Sequence, residues 1–370
     1  MNWRSAMLAM VMICILLTLV QLNLRHPEKQ AIRWLTAFVL AGVITAIPMV
    51  IGFAGAYDRW PDLTFLPTQL SPLFGPLLFL HARALMEGGP AGRWLWLLLP
   101  GAVFWLYQVW AFLFLGGYEN KWAFNDSFHE PYIVPLVYAV GLSLAVWALA
   151  MIWRMRGRYL LWLVDHRSDD DLFDPAWLTH FLMIGIPLVV VWAAENLLGQ
   201  YFGFSYYDRF WADFLGLFLL FVIAMEALVR IRQSFPKMRV HEEAEAAALE
   251  ANEQATDVRD WAVEGQQLQL AVRKHLWHLE AGISLQELAR RMGTNQAYLS
   301  KSLNQGLGMT FSHFINQQRI EHARQLIQQG EHSMLDVALG SGFGSKASFN
   351  RAFKKHAGET PSQFLASINA

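Results

Sequence analysis

The chain has 370 residues, of which 55% are hydrophobic, 14% aromatic and 16% charged, with 16 Trp and a formal net charge of −1. Soluble domains carry roughly 25% charged residues, so this composition falls outside the soluble class, and the length points to two domains. The lone Cys14 lies in an apolar run, which excludes an intrachain disulfide framework and a Cys-based zinc site.

Seven apolar runs, each of the roughly twenty residues a bilayer core demands, fall near 5–24, 32–56, 63–85, 94–116, 132–153, 181–203 and 211–230. The first follows Arg4 and has no small-residue cleavage motif after Leu22, so it reads as a retained span. Pro48, Pro72, Pro76, Pro100, Pro135 and Pro187 lie inside these runs. They either kink helices and open a cavity or are tolerated because neighbouring helices repair the backbone. Trp3, Trp34, Trp60, Trp94, Trp122, Trp153, Trp177 and Trp211 sit at the predicted ends, where amphipathic rings anchor in the headgroup zone.

Orientation follows from basic residues in the short connections. One set of ends holds Arg25, Lys29, Arg33, Arg83, Arg93, Arg154, Arg156, Arg158, Arg167, Arg230, Arg232, Lys237 and Arg239; the other holds Arg4, Arg59, Lys121 and Arg209. This bias predicts an N-terminus outside and a C-terminal domain in the cytoplasm, provided the span count is seven. Polar groups at depth are costly and therefore informative. Glu195 and Asn196 in the sixth run, with Gln69 and Gln108 in others, either hydrogen-bond between helices or line a ligand pocket open to the outside. His81 and Arg83, near the inner end of the third run, are expected to snorkel to the interface.

The expected organisation is a multi-span domain over 1–235, a linker over 236–265 and a C-terminal domain over 266–370. Residues 240–265 carry eight acids and Arg259, about seven net negative. The segment 239–256 is rich in helix formers with almost no large apolar side chains, so it is a solvated spacer or a weak coiled-coil seam. Residues 266–370 hold eleven Lys and Arg against six Asp and Glu, about five net positive.

That basic segment contains one pattern twice. Leu288-Ala289, Gly293, Leu299 and Leu303 are echoed by Val337-Ala338, Gly342, Phe349 and Phe353. A small residue that lets helices cross, a turn glycine four positions on, and an apolar i, i+4 pair that seats a second helix make a helix-turn-helix. Ser284 is expected to cap the first helix with Glu287 at the capping-box position, and 295–305 forms the first reading helix. A long amphipathic helix starts at Thr310, shows Phe311, Phe314, Ile315, Ile320, Ala323, Leu326 and Ile327 at helical spacing, and ends at Gly330. A short helix over 334–339, a second reading helix over 346–356 and a last helix from Pro361 to about Ile368 complete the domain. The fold class expected is all-α: a seven-helix transmembrane bundle followed by a double helix-turn-helix domain.

Aligning the apolar pairs matches Lys301 with Arg351, both pointing away from the buried pair and suited to the O6 and N7 acceptors of guanine. Gln296, Ser300, Lys346 and Asn350 flank them, and Ala297, Gln305 and Ala347 complete the expected reading surface. Lys354 and Lys355 are better placed for phosphates, which position a protein without reading sequence. The connecting helix, about 30 Å long, allows two reading helices to enter successive major grooves of duplex DNA.

The segments Ser284-Leu-Gln-Glu-Leu-Ala, Tyr298-Leu-Ser-Lys, Phe314-Ile-Asn-Gln-Gln-Arg-Ile-Glu-His-Ala, Gly342-Phe-Gly-Ser-Lys-Ala-Ser-Phe-Asn-Arg-Ala-Phe-Lys-Lys and Gly358-Glu-Thr-Pro-Ser-Gln-Phe resemble the DNA-binding domain of the AraC/XylS family of bacterial transcription regulators. Phe74-Gly-Pro-Leu-Leu-Phe-Leu-His-Ala-Arg is similar to a segment of a membrane-bound subgroup of that family. The resemblance implies a sequence-specific regulator in the inner membrane, often an activator that meets RNA polymerase, with a homodimer favoured by family habit. It implies no cofactor and leaves the extracytoplasmic or lipid-borne small-molecule signal open. Ala297 departs from the family, where many members place a larger base-contacting side chain.

Other classes are weaker. Gly340-Ser-Gly-Phe-Gly-Ser mimics a phosphate loop but lacks a preceding strand, and His275 and His278 have no third ligand nearby. A transporter or membrane enzyme with a DNA-binding tail would show paired intramembrane acids or an inverted repeat, and the sequence shows neither. A tether that binds DNA without affecting transcription is the third class.

Overall fold

The computed structural model describes residues 2–25, 28–169, 173, 175, 207–229, 235–238, 260–330 and 333–369. Among these the chain is helical, and the one pairing of extended backbone is an isolated antiparallel bridge between Arg167 and Ser284. It divides into two compact units, Met1–Arg156 with Pro175–Phe235 and Gly157–Asp174 with Pro236–Ala370.

Among the described residues five helical stretches are long and apolar enough to cross a membrane: Trp3–Arg25, Lys29–Phe53, Gly92–Phe114, Tyr118–His166 and Phe210–Val229. The last of the five packs with the first two around Leu8, Ile15, Leu22, Leu35, Val39, Phe210 and Leu217. Their outer faces stay apolar: Leu24 is 76% exposed, and Trp96 and Phe114 are each 73% exposed. Water-facing surfaces seldom carry so much contiguous apolar area. The sixth expected span, with Glu195 and Asn196, lies outside the described residues, as does the acidic segment 239–256.

The third expected span is not one helix. Pro61–Phe65 and Ser71–Leu73 are tight 3-10 turns, and only the thirteen residues Phe74–Met86 are α-helical. Such a helix reaches about 20 Å, short of a bilayer core. Pro67 holds Leu66 in extended backbone, and Pro72, which lacks an N–H, sits in the first turn of a new helical start, so no single helix runs through 61–86. The backbone groups this frees are taken up by side chains. Gln108 Nε2 donates to the Gln69 carbonyl at 2.8 Å, and Gln69 N–H donates back to Gln108 Oε1 at 3.1 Å. Thr45 Oγ1 donates to the Thr68 carbonyl at 3.0 Å and accepts from Leu70 N–H at 3.3 Å, while Trp105 Nε1 donates to the Pro67 carbonyl at 3.1 Å. A broken backbone inside an apolar bundle is stable only when its polar groups find such partners.

His81 and Arg83 do not snorkel. Both are buried in the bundle, because the Phe74–Met86 helix is covered along almost its whole length. His81 Nδ1 lies 2.8 Å from the Ala31 carbonyl, and Arg83 reaches the Pro90 carbonyl at 2.9 Å and Glu87 at 3.1 Å.

The second unit begins with the helix Trp261–Lys274, capped by Asp260 Oδ1, which accepts from Ala262 N–H at 3.0 Å. The helices Leu285–Arg291, Gln296–Lys301, Phe311–Gln329, Met334–Gly340, Lys346–Ala357 and Pro361–Ile368 follow. Every one is opened by a side-chain oxygen: Ser284, Asn295, Thr310, Ser333, Ser345 and Thr360. These caps satisfy N–H groups that no helix can satisfy internally. Glu287 does not close a reciprocal box with Ser284, because its carboxylate is drawn to Arg290 at 2.7 Å and Arg291 at 3.0 Å. The reciprocal box occurs instead at the last helix, between Thr360 and Gln363.

The apolar face of the connecting helix, Phe311–Gln329, serves two cores rather than one. Phe311, Phe314 and Ile315 pack with Leu268, Leu285, Leu288, Leu299 and Leu303. Ile320, Ala323 and Ile327 pack with Val337, Ala338, Phe343, Phe349 and Phe353. Each helix-turn-helix therefore has its own core, and one helix carries both.

Candidate nucleic-acid interface

Two equivalent surfaces result from this arrangement. In the first, Leu299 and Leu303 are buried and seat the helix Gln296–Lys301, leaving Lys301 exposed and Ser300 half-buried. In the second, Phe349 and Phe353 are fully buried, leaving Lys346, Ala347, Asn350, Arg351, Lys354 and Lys355 exposed. The i, i+4 apolar pair thus does what the spacing predicts, turning Lys301 and Arg351 outward at matching positions. Lysine or arginine presented in this way can donate to the guanine edge or to phosphate oxygens.

One expectation changes. Ala297 is only 3% exposed, so it offers nothing to a base edge; its small side chain belongs to the packing of the first motif. Helical structure also runs on from Lys301 through a wider π-type turn, Ser302–Leu307, which leaves Asn304 and Gln305 exposed. Asn304 Nδ2 donates to Ser300 Oγ at 3.2 Å, so these two share one polar edge beside Lys301. Sequence reasoning omitted Asn304, although it lies three residues after Lys301 and hence on a neighbouring face. Gln296 is half-buried, and its Oε1 is buried without a hydrogen-bond partner among the described residues.

The turn glycines differ in how tightly they are held. Gly293 and Gly342 both take a left-handed backbone, φ 68° and 83°, which costs a side-chain-bearing residue about 1–2 kcal/mol. A Cβ at Gly293 would point into open space, whereas one at Gly342 would lie 2.6 Å from the Leu279 carbonyl oxygen. The second turn is thus fixed by contact as well as by conformation.

Ion pairs engage the two cations at the end of the helix Leu285–Arg291. Arg291 is held by Glu280 at 2.6 Å and by Glu287 at 3.0 Å, and Arg290 by Glu287 at 2.7 Å. These pairs hold both carboxyls below their usual range, chiefly through hydrogen bonds from Arg291 to Glu280 and from Arg290 to Glu287. His356 sits beside His313, ring centroids 4.6 Å apart, and burial, then His313 and Lys355, lower its pKa to about 4. A histidine depressed in the folded state contributes stability above about 6.5 that is lost as pH falls towards the folded value. We therefore expect thermal stability to decline between pH 6.5 and 4, and His356→Gln to flatten that decline, as scanning calorimetry across this window would show.

The Gln108 amide is engaged with the backbone N–H and carbonyl of Gln69, and Gln69 itself is exposed, so the contact joins one side chain to the other's main chain. No group of three metal-ligating side chains occurs among the described residues.

Comparison with known proteins bears on the second unit. A family model described as a helix-turn-helix domain matches residues 288–367. A protein of Proteus vulgaris named "Probable transcription factor PqrA" is 34% identical over 83 residues, covering 22% of this chain and 68% of its own length. The chain belongs to the AraC-like helix-turn-helix family. An uncharacterized HTH-type transcriptional regulator of Staphylococcus aureus is 40% identical over 87 residues, 24% of this chain. This chain covers only 12% of that protein, so the AraC-like domain is the shared part. The C-terminal domain of AraT, a response regulator from Geobacillus stearothermophilus, matches 28% of this chain and 84% of its own at 26% identity, with a TM-score of 0.26.

Proposed function

We propose that this protein is a membrane-anchored transcription regulator whose AraC-like domain reads duplex DNA at the cytoplasmic face of a bacterial inner membrane. One observation carries the reading: Lys301 and Arg351 stand exposed at equivalent positions of two helices, each seated by a buried apolar pair, in a chain whose described residues also include five membrane-length apolar helical stretches. With the broken segment 61–86 crossing as a single span, the basic residues clustered at one set of helix ends favour the same side of the membrane for the reader as for the DNA. A signal reaching the bundle from outside or from the lipid would alter the pose or pairing of the AraC-like domains. A homodimer and contact with RNA polymerase fit an activator of this family.

The test separates base reading from phosphate binding. Arg351→Ala is expected to weaken binding to duplexes selected by the protein by about 1–3 kcal/mol while leaving random duplex nearly unchanged. Lys355→Ala should instead weaken all duplexes alike and reduce the salt dependence by about one ion. Fluorescence anisotropy at several salt concentrations would distinguish the two. Equal losses on selected and random DNA for both variants would contradict the assignment.

A further inference from the structure

The DNA-binding unit includes a piece of chain from far away in sequence. Gly157–Asp174, the end of the helix Val134–His166 and the connection after it, belongs to the same compact unit as Pro236–Ala370. Its tip is Arg167-Ser168-Asp169. Arg167 and Asp169 pair twice, Nε to Oδ1 at 2.8 Å and Nη2 to Oδ2 at 2.9 Å, which draws the backbone into a tight turn around Ser168.

Ser168 is buried, and each of its polar groups is matched by the AraC-like domain. Its Oγ donates to the Ile283 carbonyl at 2.9 Å and its N–H approaches the same oxygen at 3.4 Å. Its carbonyl accepts from Asn316 Nδ2 at 3.4 Å, and its Oγ accepts from Arg319 Nη2 at 3.3 Å. Beside it, Arg167 bridges to Ser284, the cap of the first helix-turn-helix.

Arg319 gives this contact reach. Arg319 is 1% exposed, and its guanidinium donates to the carbonyls of His278 at 2.7 Å and Glu280 at 2.8 Å and lies 5.3 Å from the ring of Phe343. His278 and Glu280 precede the first motif, and Phe343 belongs to the core of the second. One side chain on the connecting helix therefore touches both the segment that leads into the first motif and the core of the second, and Ser168 fills a remaining hydrogen-bonding position on it. None of the groups that hold the strap is among the exposed reading residues, so the strap acts on the pose of the motifs and does not cover them.

We propose that Arg167–Asp169 is a docking strap through which the connection after the Val134–His166 helix sets the relative pose of the two motifs. Docked, it supports the pose that engages two half-sites at once; undocked, it leaves each motif competent but their joint binding weakened. This rests on the DNA-reading function proposed above.

The test uses full-length protein in lipid nanodiscs and duplexes selected from a random pool by the wild type. Ser168→Trp, which cannot fit the buried position, is expected to lower affinity for the full selected duplex about tenfold, the size of a buried polar group losing its partners. Binding to a duplex keeping only one half-site should stay within about twofold, by the same local-effect argument. In a Cys14→Ser background, Arg167→Cys with Ser284→Cys should form a disulfide on mild oxidation, and the oxidised form should bind the full duplex more tightly than the reduced form. Unchanged full-duplex affinity in Ser168→Trp, equal losses on both duplexes, or a cysteine pair that does not close would each overturn the strap. Failure of the wild type to select any duplex would instead sink the DNA-reading function, and closure of the cysteine pair would still report whether the strap docks.

Discussion

Phe353→Ala is expected to destabilise the second helix-turn-helix by about 3–5 kcal/mol, the usual cost of removing a fully buried phenylalanine. Phe353 has no exposed surface and meets Phe349 edge-on at 5.6 Å and Phe364 at 5.6 Å. The cavity therefore opens between the reading helix Lys346–Ala357 and the closing helix Pro361–Ile368, in a small core with little to collapse onto it. Typical domains have about 5–15 kcal/mol of stability, so a loss of this size consumes much of the total. Specific DNA binding should fall although no DNA-facing group is altered. Hydrogen exchange followed by mass spectrometry should show lost protection across 334–357, with 285–301 largely retained. Uniform loss across both motifs would mean that the two cores unfold as one.

Arg319→Met is expected to destabilise the domain by about 2–5 kcal/mol, and for a different reason. Methionine fills similar volume but leaves the buried carbonyl of His278 and the partly buried carbonyl of Glu280 without their donor. Each such group costs about 1–3 kcal/mol when buried unmatched. Burial lowers the guanidinium pKa to about 10, with Asp169 opposing that shift, so the side chain remains a cation at neutral pH. Arg319→Lys should recover only part of the loss, because one ammonium cannot span carbonyls that two guanidinium nitrogens reach in a plane. Urea melts of the three proteins, compared by midpoint at constant slope, check the ranking.

What the sequence made legible was local chemistry. The caps at Ser284 and Thr310, the stop at Gly330 and the helix opened by Pro361 need only neighbours within four residues, and all are found. The buried pairs Leu299/Leu303 and Phe349/Phe353 follow from helical periodicity. The misreadings concern contacts between segments distant in the chain. Hydropathy over 63–85 is that of a span, yet no single helix runs through it, and the repair comes from Thr45, Trp105 and Gln108. His81 and Arg83 look like interfacial side chains until the neighbouring helices that cover them are in place. Ala297 matched a base-contacting position by alignment, but a methyl group at a helix crossing is buried. Ser168, a single serine in a polar connection, carries no signal at all without the Arg319 and Asn316 that receive it.

On the function proposed above, a two-motif DNA reader is fixed to the membrane by the apolar helices ahead of it. Membrane flotation of inverted inner-membrane vesicles carrying the full-length protein, mixed with a labelled selected duplex and a scrambled control, tests it directly. The selected duplex is expected to float with the vesicles, excess scrambled DNA not to displace it, and Arg351→Ala to abolish the preference. Protein that stays in the soluble fraction, or vesicles that capture DNA only when right-side-out, would contradict it.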